Sequence, residues 1–246
     1  MRVVAVPCLK DNFAYLVIDD QRAAVVDPGE SAPVEAALER ERVTLVAIWA
    51  THHHHDHVGG VADLVARHAG IEVIAGAVDA PKIPAVTRTV NDGDELMFGT
   101  RRVRIIHNPG HTLGAVTFVI EGCAFTGDTL FGGGCGRVFE GDPAMMHASL
   151  TKLAALPEDT KVYFGHEYTA ANLRFAAAVE PENAAVAQRV QGLATPSTPS
   201  LIRDERATNP FLRAAAPAVI AAAKARGAAG DPVSVFAEIR AWKNSF

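Results

Sequence analysis

Along the first half of the chain, short β-branched runs alternate with apolar positions spaced three and four apart, the pattern of strands layered against helices. Val3 to Val6, Tyr15 to Ile18 and Ala23 to Val26 predict successive strands, with Asp19, Asp20 and Gln21 turning the chain between the last two. Asp27, Pro28 and Gly29 end the third. Ser31 with Pro33 opens a helix that places Val34, Ala37 and Leu38 on one face, and the apolar run Val43 to Trp49 predicts a buried strand. Val61, Leu64, Val65 and His68 then recur at helical spacing, and Ile71 to Ala75 reads as the next strand. Hairpins follow: Asn91-Asp92-Gly93 marks a turn, and strands at Arg102 to Ile106, Ala115 to Ile120 and Ala124 to Thr126 are separated by Pro109-Gly110 and Glu121-Gly122. Asp142-Pro143 starts a helix whose apolar face is Met146, Leu150 and Leu153, and Val162 to Phe164 is the last predicted strand.

Beyond about residue 170 alanine accumulates and strand patterns cease. Helices are predicted over Ala170 to Val179, Glu182 to Gln191 and Ala214 to Arg226, with Thr195 to Ser200 as a loop and Asp231-Pro232 starting a final helix to about Lys243. The expected organisation is α+β, with a catalytic domain over residues 1–168 and a helical domain over 169–246.

Composition narrows this picture. The 246 residues are 49% hydrophobic and 21% charged, so a sizeable core is available, and 23 basic against 28 acidic side chains give a net charge of −5. That balance lacks the basic footprint of a nucleic-acid binder. Three cysteines, Cys8, Cys123 and Cys135, with no C-x-x-C pair, argue against a disulfide framework and a thiolate zinc cluster. Pro7, Lys10 and Asp11 interrupt the N-terminal apolar run where an export signal needs continuity, and no apolar stretch approaches the ~20 residues of a membrane helix. A cytoplasmic protein is expected, a monomer rather than an oligomer, with neither a nucleic-acid nor a membrane partner.

Five of the ten histidines fall in the window Thr51 to His57, T-H-H-H-H-D-H, directly after a predicted buried strand. An expression tag would sit at a terminus and would not lead into Asp-His, Gly59-Gly60 and a helix. Strand alternation lets His52 and His54 reach one point while His53 and His55 look away, and so selects the ligands. Asp56 and His57, past the turn, are free to serve a second centre beside it. Imidazole with carboxylate suits zinc, iron or manganese.

Three further segments put a metal-compatible side chain on a turn after a strand: Asn108-Pro109-Gly110-His111-Thr112, Thr126-Gly127-Asp128-Thr129 and Phe164-Gly165-His166-Glu167. Each alone is ordinary turn chemistry. Together with the histidine window they count seven: His52, His54, Asp56, His57, His111, Asp128 and His166. H-x-H-x-D-H followed by distant His, Asp and His resembles the metallo-β-lactamase superfamily and, within it, the glyoxalase II (hydroxyacylglutathione hydrolase) family. The resemblance spans essentially the whole chain, with local matches at Thr51 to Gly60, Pro109 to Thr112, Phe125 to Phe131, Gly134 to Arg137, Gly165 to Thr169, and at Arg240 with Lys243.

The resemblance implies a four-layer αβ/βα sandwich of two mostly antiparallel sheets, followed by a helical domain. It also implies two divalent metal ions, zinc before iron or manganese. His52, His54 and His111 would hold one, Asp56, His57 and His166 the other, and Asp128 would bridge them, as only a carboxylate has two oxygens to share. Such a pair generates hydroxide near neutral pH and polarises a carbonyl, so Asp56 and Asp128 are the expected catalytic carboxylates and the expected reaction is hydrolysis. Arg137, Tyr168, Arg240 and Lys243 match the positions that hold the glutathione part of a thioester, and the implied substrate is S-(2-hydroxyacyl)glutathione, a step in methylglyoxal detoxification. Arg240 and Lys243 share one face of the last helix while Val233, Phe236 and Ile239 are available for packing on another. Phe139 stands where a tyrosine hydroxyl could otherwise meet glutathione. His53, His55, His68, His107 and His147 are assigned to structure. The competing readings are a persulfide dioxygenase or lactonase on the same fold, and a non-catalytic metal or nucleic-acid binding module.

Overall fold

The chain opens with an antiparallel meander, β1 (Arg2–Cys8), β2 (Asn12–Asp19) and β3 (Arg22–Val26), and then continues in parallel through β4 (Thr44–Ala50), β5 (Glu72–Gly76) and β6 (Arg88–Val90). These six strands form one sheet in sequence order. The crossovers supply α1 (Ser31–Glu41), a single turn α2 (His55–Val58) and α3 (Val61–Arg67). All 246 residues are described by this computed structural model.

A second sheet follows, in the order β14-β13-β10-β9-β8-β7, from β7 (Glu95–Phe98), β8 (Arg101–His107), β9 (Val116–Ile120), β10 (Cys123–Gly127), β13 (Lys161–Phe164) and β14 (Ser200–Leu201). A separate hairpin pairs β11 (Leu130–Phe131) with β12 (Gly134–Cys135). The remaining helices are α4 (Pro143–Ala154), α5 (Thr169–Val179), α6 (Ala184–Gln191), α7 (Ile202–Thr208), α8 (Pro217–Lys224) and α9 (Pro232–Ser245).

Alternation along the strands builds two cores. From β2, Tyr15 and Val17 enter the space between the sheets, where Trp49 stacks on Phe118 at 5.3 Å and Tyr15 meets Phe125 at 5.8 Å. Ala14, Leu16 and Ile18 point the other way, against Val34, Ala37 and Leu38 of α1 and Val61 and Leu64 of α3. On the far side, Met146, Leu150 and Leu153 of α4 pack with Val235, Phe236 and Ile239 of α9. The result is the expected four-layer sandwich.

Three expectations change. The first sheet is not mostly antiparallel, because three of its five pairings are parallel and each of these follows a crossover. β6 and β7, on either side of the predicted Asn91–Gly93 turn, are too short or too exposed to announce themselves, and that turn carries the chain from one sheet to the other. The region after residue 170 is not strandless: Ser200 and Leu201 pair antiparallel with Val162 and Lys161 at the edge of the second sheet. No helix is long and apolar enough to cross a membrane.

Candidate metal centre and its cleft

The candidate ligands converge where strands of both sheets end. β4 stops at Ala50, so His52 and His54 lie in the turn after it and not on the strand itself. Strand alternation therefore does not select them. The backbone turn does, together with Asp27 at the end of β3, whose carboxylate accepts from the Thr51 amide at 2.7 Å and the Thr51 hydroxyl at 2.6 Å. α2 begins at once with His55 and brings Asp56 and His57 together, His57 Nε2 3.6 Å from an Asp56 oxygen. His111 and Asp128 follow β8 and β10, and His166 follows β13.

The seven side chains form two groups with a shared member. Ligand atoms of His52, His54 and His111 lie within 4.8 Å of one another, as do those of Asp56, His57 and His166. His54 Nδ1 is 2.9 Å from His111 Nε2, and His57 Nε2 is 3.4 Å from His166 Nε2. Asp128 sits between: one oxygen is 3.3 Å from His57 Nε2, the other 3.3 Å from His166 Nε2 and 3.4 Å from His111 Nε2. All are buried except His54 and Asp56, which open toward solvent.

For four of the five imidazoles the outer nitrogen settles which atom faces inward. His57 Nδ1 lies 3.0 Å from Asp27, His166 Nδ1 2.9 Å from Asp11, and His111 Nδ1 2.8 Å from the Arg137 carbonyl, all acceptors, so these nitrogens carry the proton. His52 Nδ1 faces the Thr51 hydroxyl at 3.0 Å, whose own proton goes to Asp27. Each of the four then presents an Nε2 lone pair to the centre, the arrangement outer acceptors impose on metal-ligating histidines. His52 Nε2 and one Asp128 oxygen are buried without a hydrogen-bond partner in the protein. Those two orphaned atoms, pointing into a cage of imidazoles and carboxylates, fit a cation.

Electrostatics leads to the same conclusion. Burial holds the His52, His54 and His111 imidazoles below the usual range, in their neutral, ligating form. Burial also opposes charge on His57 and His166, but carboxylates outweigh it: Asp128 and Asp27 raise His57, and Asp128 and Asp56 push His166 up to about 10. The carboxylates thus demand positive charge at this point, which protons or metal cations can supply. Asp56 is held well below the usual carboxylate range by His166, with further help from His57 and Asn12, whose amide donates to it at 3.0 Å.

Close packing leaves no slack. A Cβ on Gly165 would lie 2.3 Å from an Asp128 oxygen and 2.6 Å from His57 Cε1, so only glycine fits directly after β13, beneath the candidate ligands.

A cleft of about 520 Å³ opens from this centre and brings all four expected substrate residues to its wall. Tyr168 stacks on His166, ring centroids 4.8 Å apart, and burial, then Asp11, Asp128 and Asp56, push its hydroxyl up to about 12, keeping it a neutral donor. Arg137 is exposed. Lys243 reaches the cleft across the ring of Phe175, with burial and then Arg240 pulling its ammonium below the usual range. Arg240 is buried, contrary to a simple binding face, and donates to the Cys135 carbonyl at 2.9 Å. On the same helix Val233 is exposed and Val235 takes the expected packing place, because the buried stripe runs Val235, Phe236, Ile239. Phe139 leans over the ligands, 5.2 Å from the His111 ring.

The other histidines divide. His68 meets Glu35 at 3.0 Å, His107 meets the Leu113 carbonyl at 2.8 Å, and His147 packs on Phe236. His53 turns from the centre to Asp79 at 3.0 Å, and its other nitrogen is 3.6 Å from Glu140. Asp27, Asp11 and Asn12, which orient ligands, carry no signal of their own in the sequence. Asp27 reads as turn chemistry because it also ends β3.

Comparison with known proteins agrees with this geometry. Residues 10–166 match the profile of the Metallo-beta-lactamase superfamily, to which the chain belongs. Residues 167–246 match the profile described as Hydroxyacylglutathione hydrolase C-terminus. Hydroxyacylglutathione hydrolase of Alkalilimnicola ehrlichii is 48% identical with 98% of each chain covered, and Hydroxyacylglutathione hydrolase 2 of Vibrio vulnificus is 44% identical with both covered completely. Within the superfamily the chain is a member of the hydroxyacylglutathione hydrolase family. The crystal structure of TTHA1623 in a di-iron-bound form is 28% identical, covers 86% of this chain and 100% of that one, and superposes with a TM-score of 0.65.

Proposed function

We propose that this chain hydrolyses S-(2-hydroxyacyl)glutathione, foremost S-D-lactoylglutathione, to the 2-hydroxy acid and glutathione, within methylglyoxal detoxification. The observation that carries the reading is one cleft lined by His54, Asp56, His111, Asp128 and His166 of the seven-residue cage, with His52 and His57 buried behind them, and whose wall holds Arg137, Tyr168 and Lys243. The names of the full-length relatives point the same way. Two divalent cations are proposed, zinc before iron or manganese, with His52, His54 and His111 for one, Asp56, His57 and His166 for the other, and Asp128 for both. When bound, such a pair lowers the pKa of a shared water and polarises the thioester carbonyl.

The protein's own groups then divide the work. Asp56, ionised and half-open to the cleft, accepts a hydrogen bond from the attacking water and aims it. Lys243 and Arg137 receive the carboxylates of glutathione, local cations on a chain of net charge −5. Tyr168 offers a neutral hydroxyl beside them. Water loses a proton as its oxygen adds to the thioester carbon, the carbon–sulfur bond breaks, and the departing glutathione sulfur takes up that proton, relayed by Asp56, and leaves as the thiol toward the cationic wall.

Division of labour between residues 1–168 and 169–246 is supported by where the groups come from: every proposed ligand precedes residue 169, and Arg240 and Lys243 follow it. One chain furnishes both sides of the cleft, which supports a monomer acting on a small molecule, and the cytoplasm is its proposed location.

Elemental analysis of the purified protein, paired with a thioester assay after metal reconstitution, tests the reading. About two metal ions per chain and turnover of S-D-lactoylglutathione are expected. Turnover of no glutathione thioester by metal-loaded protein would overturn it.

A further inference from the structure

The hairpin of β11 and β12 belongs to neither six-stranded sheet, and a two-residue ladder does not hold itself in water. It nevertheless forms part of the cleft wall, contributing Phe131 and Cys135 and leading directly into Gly136 and Arg137. Backbone groups that its short ladder leaves unpaired are taken up by side chains from the helical region. Gly133 N–H donates to Glu205 at 2.8 Å, and Asn209 Nδ2 donates to the Gly134 carbonyl at 2.9 Å. Asn172 donates to the Gly132 carbonyl at 3.0 Å. Fit is close: a Cβ on Gly134 would lie 2.5 Å from the Asn172 amide.

Glu205 is the centre of this arrangement. It is completely buried on α7, where a carboxylate stays only if every lone pair is used. One oxygen accepts from Gly133 and Asn209, and the other from Arg189 and Ser200. None of these groups hydrogen-bonds a candidate metal ligand. Asp128 is held separately, at the end of β10, where the Gly127 carbonyl accepts from the Gly165 amide at 3.0 Å.

We propose that Glu205 and Asn209 are positioning residues: acting through the backbone of residues 131–136, they set the substrate-side wall of the cleft, and with it the affinity for the glutathione portion of the thioester. The proposal rests on the function proposed above. It assigns no chemistry to Glu205, whose carboxylate is spent on the hairpin and on Arg189.

Glu205→Gln and Asn209→Ala, made separately in the full-length metal-loaded protein, test it. Glu205→Gln turns an amide donor toward groups that donate to the carboxylate in the parent, and Asn209→Ala removes the donor to Gly134. Each is expected to raise KM for S-D-lactoylglutathione about tenfold, the loss of roughly one hydrogen bond, with kcat within about twofold of the parent and metal content unchanged. Amide hydrogen exchange over residues 129–137 should speed up in both, while β4 and β10 keep their protection. Unchanged KM and unchanged exchange overturn the proposal, and so does a fall in kcat and metal content at constant KM. If Glu205→Gln does not fold, Asn209→Ala carries the same readings. Should the parent hydrolyse no glutathione thioester, the functional reading fails, and hairpin exchange in the variants still decides whether the clamp exists.

Discussion

Asp27 lies outside the candidate ligand set, yet it fixes two of its members, holding Thr51 beside His52 and the Nδ1 proton of His57. Asp27→Asn keeps the shape but sets an amide donor against that proton, which favours the tautomer with hydrogen on the inward Nε2. Metal affinity or turnover is expected to fall about 10- to 100-fold with little change in melting temperature, measured by metal competition and steady-state rates. Asp128→Ala should do more, because it removes both oxygens between the two histidine groups: a loss of at least about 100-fold in kcat with cooperative unfolding retained. Full turnover in that variant would contradict the bridging assignment. At this scale the histidine window was most legible, since five histidines in six positions stand out, whereas His111, Asp128 and His166 sit on turns that are ordinary alone and could be grouped with it only as candidates. Their supports were not legible. Asp11 and Asn12 are contiguous in sequence, but their partners His166 and Asp56 lie far along the chain, and such pairings exist only after folding.

Among the elements, α9 does two different jobs along one helix. Arg240 is an internal strut to the Cys135 carbonyl, whereas Lys243 reaches the cleft. Arg240→Met should therefore lower stability by about 1–3 kcal/mol in denaturant unfolding, as well as raising KM, because it leaves a buried carbonyl without its donor. Lys243→Ala should raise KM about tenfold and leave the unfolding midpoint nearly where it was. Equal stability losses in the two variants would contradict the distinction. Helical spacing placed both residues on one side of α9, and that much was readable. Periodicity could not tell that a cation would be buried, because the acceptor that stabilises it comes from β12, about a hundred positions earlier. α7 escaped notice for a related reason: its inward positions are Ile202, Glu205 and Thr208, and a polar stripe facing inward looks like a solvated segment. Short strands such as β6 and β14 are set by what they pair with and carry almost no pattern of their own.

For the whole molecule, the proposed cations tie together loops from both sheets, so they should stabilise the native state by mass action. Each tenfold excess of free metal over its dissociation constant adds about 1.4 kcal/mol per site. Prolonged chelation is expected to abolish thioester turnover and lower the melting temperature by about 5 °C or more, both restored by added zinc; an unaltered melting curve would argue that nothing was removed. Layering was legible because it rests on long apolar periodicities. Parallel pairing in the first sheet was less so, since it depends on the crossovers, not on the strands. Ser200 and Leu201 have one more consequence. They arrive from the helical region and lie along β13, covering the rim of the catalytic sandwich. A protein shortened to residues 1–168 would expose that rim as a row of unsatisfied amides and carbonyls, a template for sticking to its own copies. Such a fragment is expected to elute as aggregates in size-exclusion chromatography, so the two halves of this chain are separable on paper but share a seam.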